Sequence, residues 1–568
     1  MPRKTPHAFA GGSLAPALLA FGAIFAALWL VHLPLLRLPY FWDEAGYFIP
    51  AARDIFLTGD LIPHTTLSNA HPPLVMLWLA LCWKITAYTP LVTRTAMLLV
   101  AAFGFTALWL LGRRVASAPV ASAAVVLTAL SPTVFSQSAM AQLDIAAFAL
   151  VLWTLYSHIS GWRWQAIAFA ALAAVAKETT VAVTLTLFGA DLLGWFAYRW
   201  WPVVAGKWCL PRRSMAQSAA YLLALLPLAG WYGYHFHRTG HVFGNPDYLR
   251  YNVGATVTPL RIVLAGLMRL WHVTGYMNLF VLTAAALLVL WDARRTPHIR
   301  LKNVGHQPDA SAPAIPANVL LLLALVVLAQ VVEFSIVGGA LLARYMIPAI
   351  PLVVLPSVNV LRRYAPRWQW WIAGCAAAFL AALFFNPPWF ISPEDNLTWT
   401  EFVRMHQQAA RYVEGHYAED RIMTAWPASD ELNRPFLGYV KRPLSVVRLE
   451  NFTAGEILRA QQQPESFDVV VAFSTKYEPP RGFFQYIPGW TAIQTRYFDF
   501  HQDLPPAAIA RLLHGRIVWK DSSPGVWIAV IEIDKIRNAE LKFRARRPTP
   551  QELSETFFAG LETAFPEN

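Results

Sequence analysis

Long apolar runs, broken by short basic or aromatic-polar turns, dominate the first 390 residues. A helix crossing a bilayer needs ~20 mostly apolar residues. Runs at 14–36, 92–112, 116–135, 145–160, 164–177, 179–198, 216–235, 272–291, 317–335, 345–361 and 370–390 predict about eleven transmembrane helices. The stretch 73–86 is apolar but short, the length of an interfacial or re-entrant segment. Past residue 390 the rhythm changes. Helical patterns at 398–415 and 453–463 alternate with strand patterns at Arg421–Ala425, Leu444–Leu449, Phe467–Phe473 and Val526–Ile533. That alternation predicts a small α/β domain over 391–540, with 391–397 (ISPEDNL) as a linker and 541–568 as a polar tail.

Charge then orients the chain. Basic residues come as short clusters between the runs: Arg3 and Lys4, Arg113 and Arg114, Arg163, Arg199 to Arg213, Arg294 to Lys302, and Arg362 to Arg367. With 73–86 not spanning, every cluster falls on one side, which the positive-inside rule makes the cytoplasm. The loop 37–91 and everything beyond 390 are then external. The net charge of +12 does not gather on one face, so nucleic-acid binding does not follow. Three scattered cysteines give neither metal spacing nor a disulfide framework. The first run lacks a small-residue cleavage site and reads as a retained helix, not a signal peptide.

Candidate chemistry lies on the external side. Asp43 and Glu44 stand together in the aromatic segment PYFWDEAGYF, where lowered polarity makes an ionisable group costly and useful as a proton acceptor. An interfacial aromatic belt with an acidic helix start is the bland alternative. His71 precedes a proline pair at the start of the short apolar stretch, and Asp144 caps a span. Lys177-Glu178 splits one long apolar region; it serves as a turn or presents an ammonium to a phosphate. Arg238, in HFHR, and Arg344-Tyr345 add external cations, with Glu333 as a candidate ion partner for Arg344. A transporter or lipid flippase would place its polar groups at mid-span, often in two similar halves, and no such halves are visible. A non-catalytic envelope assembly protein working through its external tail is the second rival.

Trp42-Asp43-Glu44, His71-Pro72-Pro73, Ser131-Pro132 with Asp144, Lys177-Glu178 and Arg344-Tyr345 with Pro348 together resemble the GT-C glycosyltransferases. The narrower likeness is to the bacterial family 39 and aminoarabinose-transferase-like group, relatives of protein O-mannosyltransferases. It covers about residues 14–390. The resemblance implies a sugar transferred, with inversion, from a polyprenyl-phosphate carrier to a lipid, glycan or protein acceptor outside the cytoplasm, in a bacterial inner membrane. Asp43 would be the catalytic carboxylate with Glu44 beside it, and Asp144 the second acidic position. Lys177, Arg344 and Tyr345, with His71, Glu178 and Arg238, would surround the donor. A divalent metal stays open as a cofactor. Ala70-His71 stands where some relatives carry an acidic residue and lysine, which removes one candidate ligand.

Overall fold

A computed structural model describes residues 15–201, 203, 206, 214–254, 256–295, 313–478, 487–498 and 500–534. The basic clusters at Arg3 and Lys4, Lys207 to Arg213, and Arg300 with Lys302, like the polar tail, lie outside the described residues. The chain divides into two compact units: Met1–Arg404 with Pro479–Phe500, and Met405–Glu478 with His501–Asn568.

The first unit is helical. Among the described residues, four helical stretches (Pro90–Val115, Glu178–Trp200, Pro259–Arg295, which is broken near Met277, and Ala317–Ile336) are long and apolar enough to cross a membrane. Ala118–Leu130 and Pro132–Ser138 make a fifth if they count as one span, bent by 76°. The bend sits where a proline forces it: Ser131, ahead of Pro132, leaves the helical region at ψ 122°. Ala15–Val31, Leu74–Ile85, Leu143–Ile159, Arg163–Ala176 and Trp368–Phe384 are shorter apolar helices. The eleven crossings expected from the sequence would draw on helices below the usual length. Leu74–Ile85 has 12 residues; at ~1.5 Å per residue it is far too short for a ~30 Å core.

Helices pack closely through small residues, as expected where lipid supplies no hydrophobic drive. A Cβ added to Gly112 would lie 2.8 Å from the Ala121 Cα, and one on Gly104 2.6 Å from the Phe148 ring. The expected span 272–291 needs correction. It straddles two helices, Pro259–Thr274 and Leu279–Arg295, broken where Met277 and Asn278 take positive φ. The first of these is inside out. Arg261, Arg269 and His272 are buried while Leu260, Val263, Leu267 and Leu270 are exposed, the distribution expected when the outside is hydrocarbon.

The second unit follows soluble rules. Its sheet has the order β2-β1-β3-β5-β4, with β1 Arg421–Ala425, β2 Ser445–Leu449, β3 Val469–Phe473, β4 Gly515–Ser523 and β5 Val526–Ile533. β1 runs parallel to β2 and β3; β5 runs antiparallel to β3 and β4. Parallel neighbours need crossover connections, which Ala428–Asn433 and Ala454–Gln461 provide. β3 is buried throughout and read clearly from sequence. β4, half-exposed at the sheet edge, carries too many polar residues to be recognised.

The boundaries of the α/β unit differ from expectation in two places, since Pro479–Phe500 also falls with the helical unit. Residues 391–404 belong to the helical unit, and ISPEDNL is no loose linker: Glu394, Asp395 and Asn396 are all buried. Their polarity signals partners, not solvent. Asn396 donates to the Ala382 carbonyl at 3.0 Å and to Asn386 Oδ1 at 2.8 Å. Asp395 accepts from the Tyr276 hydroxyl at 2.6 Å.

Candidate active site

Two neighbouring carboxylates, Asp43 and Glu44, are sent in opposite directions by the local backbone. Trp42 takes φ 46°, and a π-helical turn follows at Glu44–Phe48. Glu44 is turned into the protein and is fully buried. Its Oε2 accepts from the Phe41 amide at 2.9 Å and its Oε1 from the Ala141 amide at 2.7 Å. Arg94 lies against it, Nη2 to Oε2 at 3.4 Å, and also donates to the Leu38, Pro39 and Ala139 carbonyls. This ion pair ties the chain entering Asp43 to the turn entering Gln142 and Asp144.

Asp43 faces the other way and meets Arg344. The guanidinium is the hub of the site. Its Nη1 donates to Gln142 and lies 3.1 Å from Glu394 Oε2, and its Nε lies 3.8 Å from Asp144 Oδ2. Asp144, in the first turn of Leu143–Ile159, also receives the Lys177 ammonium. Lys177 ends Arg163–Ala176 in an extended conformation, which swings its side chain 4.5 Å from the Tyr345 ring centroid and 5.2 Å from that of Phe334. Arg269 lies over the same tyrosine at 5.3 Å. The sequence-derived set Asp43, Asp144, Lys177, Arg344 and Tyr345 is therefore one cluster, drawn from four separate places in the chain.

The loop before Arg344 is held by its carbonyls. Arg269 donates to Leu342 at 2.6 Å and Ala340 at 2.9 Å; Arg261 donates to Gly338 at 3.0 Å and Gly339 at 2.9 Å. Gly338 needs its freedom, with φ 99°, and its amide donates to the Asn252 carbonyl at 2.8 Å.

A second group adjoins the first through the Lys177-Glu178 peptide. His71 Nδ1 lies 3.2 Å from Glu178 Oε1, and its Nε2 lies 3.2 Å from the Tyr248 hydroxyl. Trp231 holds the preceding residue, donating to the Ala70 carbonyl at 2.8 Å. Arg238 joins neither group. It pairs with Asp60 at 2.8 Å and with the Tyr234 hydroxyl at 2.9 Å, largely exposed. Glu333 is not among the partners of Arg344: Asp43, Asp144 and Glu394 take that place.

The sequence reading missed Glu394, Gln142, Arg94 and Arg269. Glu394 sat in a stretch read as linker, although burial beside Arg344 pushes its carboxyl up to about 8. Burial is the largest cause and Arg344 opposes it, while Asp395, Asp43 and Asp144 add to the rise. Asp395 is pushed up to about 7, again mainly by burial.

A divalent metal does not fit these side chains. The Arg344 guanidinium already lies among Asp43, Asp144 and Glu394, and the described residues hold no group of three or more His, Cys, Asp or Glu arranged for an ion.

The chain has the GT-C fold of membrane glycosyltransferases. It is similar to ArnT from Cupriavidus metallidurans in the apo state, with 15% identity over 91% of this chain and 98% of that one and a TM-score of 0.50. The same protein bound to undecaprenyl phosphate gives 15% identity, coverage of 92% and 99%, and a TM-score of 0.49. Arabinofuranosyltransferase AftD from Mycobacteria matches with 14% identity over 92% of this chain and 40% of that one, TM-score 0.41. No family model matches the sequence, and no curated protein does.

Proposed function

We propose that this protein is a multi-pass glycosyltransferase of the bacterial inner membrane. It moves a sugar from a polyprenyl-phosphate donor to a lipid, glycan or protein acceptor on the periplasmic side, where its α/β domain also lies. The observation that carries the reading is the gathering of Asp43, Asp144, Lys177 and Tyr345 around Arg344 within this fold. An acid–cation cluster of that kind can accept a proton and stabilise a leaving phosphate in one place.

Asp43 is the proton acceptor. Its side chain is 31% exposed, against 5% for Asp144 and 4% for Glu394, so it is the carboxylate an acceptor hydroxyl or amine can reach. The acceptor oxygen or nitrogen attacks the anomeric carbon, the bond from that carbon to the phosphate oxygen breaks, and the acceptor proton passes to Asp43. A single displacement inverts the anomeric centre. Charge that develops on the polyprenyl phosphate meets Arg344 and Lys177; the planar guanidinium pairs two oxygens and stays charged in a dry site. Asp144 keeps the Lys177 ammonium in place, and Tyr345 lies beneath both cations. His71 has both ring nitrogens engaged, by Glu178 and by the Tyr248 hydroxyl, and would border the donor as part of the site's frame. Glu44 and Arg238 have structural duties, the first with Arg94 and the second with Asp60.

The test is transfer by purified protein, with polyprenyl-phosphate sugars and envelope fractions read by mass spectrometry. Asp43→Asn should fold normally and lose about 100- to 10,000-fold in rate, the span of a lost general base. Unchanged transfer by that variant removes Asp43 from the role. Retention of configuration in the product rules out the single displacement.

A further inference from the structure

Both terminal nitrogens of Arg344 are engaged before any substrate arrives, and only its Nε lacks a hydrogen-bond partner among the described residues. Three carboxylates and the Gln142 amide surround its guanidinium, and with Lys177 as the only other cation in that contact set, the cluster is net negative when all three acids are ionised. A phosphate approaching Arg344 would meet that excess. The site therefore needs a carboxyl that can give up its charge.

The three acids are not equivalent. Asp43 is open to water, and Asp144 has Lys177 as a private counter-ion. Glu394 is 3% exposed, is held only through Oε2, and leaves Oε1 buried with no hydrogen-bond partner among the described residues. Arg344 faces it from one element, Asp43 and Asp144 from two others, and Asp395 from the next position on its own turn. Helix Pro132–Ser138 contributes only the neutral Gln137, which donates to the Glu394 main-chain carbonyl at 3.5 Å. Tyr276 is engaged with Asp395.

We propose that Glu394 is a further positioning residue of the transfer, a carboxyl that takes up a solvent proton as the donor binds and so releases the Arg344 fork to the phosphate oxygens. This rests on the reading of the site as one for a polyprenyl-phosphate donor. The proton adds to Glu394 as its ion pair with Arg344 is replaced by one between Arg344 and the phosphate; no other bond changes. With this carboxyl pushed up to about 8, the proton is already held in the free protein at neutral pH and is taken up on donor binding above about pH 8.

The test uses the full-length protein and a polyprenyl-phosphoryl hexose, whose diester does not titrate near neutrality. Wild-type affinity should be flat below about pH 7.5 and weaken up to about tenfold per pH unit above about pH 8. In the weakening range, binding heats measured in buffers of different ionisation enthalpy should report uptake of about one proton per donor. Glu394→Gln should bind with an affinity that does not follow pH and without proton uptake. Should that variant fail to fold, the wild-type pH profile and buffer dependence decide alone. Transfer with a flat wild-type profile and no proton uptake overturns the role of Glu394 and leaves the enzyme standing, as does a wild-type slope kept by Glu394→Gln. Failure of the wild type to bind or transfer the hexose at any pH sinks the donor reading, and this inference with it.

Discussion

Arginines serve two different purposes in the two units. In the helical unit Arg94, Arg261, Arg269 and Arg344 are buried, and each gathers carbonyls or carboxylates from distant parts of the chain. In the α/β unit Arg421, Arg448, Arg459 and Arg516 keep much of their side chain in solvent and mostly pair with one nearby acid. The contrast teaches what burial asks of a charge. A guanidinium out of water needs partners for most of its donors, so it becomes a cross-link, with one nitrogen each of Arg261, Arg269 and Arg344 left without a hydrogen bond among the described residues; at a wet surface the same group is screened and contributes little.

That contrast can be broken most easily at its deepest pair. Arg94→Ala leaves the Glu44 carboxylate buried without its cation and should cost about 3–5 kcal/mol, enough to lower yield and melting temperature sharply. A variant that expresses and melts like wild type would show that the Arg94–Glu44 pair does not frame the site. The next effect is a pH dependence. Glu394 keeps its proton up to about 8 when folded against an ordinary 4.5, and Asp395 up to about 7 against 3.8. Between those values the folded state binds more protons than the unfolded one, so stability falls as pH rises and levels off above about 8. Glu394→Gln removes its share. The fall in melting temperature from about pH 5 to about pH 8 should be shallower in the variant, and parallel curves would count against a buried, protonated Glu394. At the far end of the scale, Arg516→Ala in the α/β unit deletes an exposed pair with Glu532 and should leave the melting temperature unchanged. A measurable drop there would mean that the surface pairs of this unit do more than the contrast allows.

Much of the site was legible in the sequence because the cost of charge near hydrocarbon makes each exception visible. Asp43, Asp144, Lys177 and Arg344 all interrupt apolar runs, and all meet. The same rule failed for Arg94, Arg261 and Arg269. Arg261 and Arg269 belong to a helix whose polar side faces inward, and a pattern read for a solvent-facing stripe passes over it. Glu394 failed for the opposite reason, since acids in a proline-containing polar stretch look like linker anywhere.

The sequence by itself determined the helical membrane class, the strands of the α/β unit other than β4, and the acids and cations worth attention, because hydrophobic length and periodicity are local properties. The tertiary structure decided which way each charge points. Adjacent residues such as Asp43 and Glu44 share a composition and a neighbourhood in the chain, yet one faces Arg344 and the other Arg94. That choice depends on a backbone turn and on partners fifty and three hundred positions away, and no local pattern carries such information.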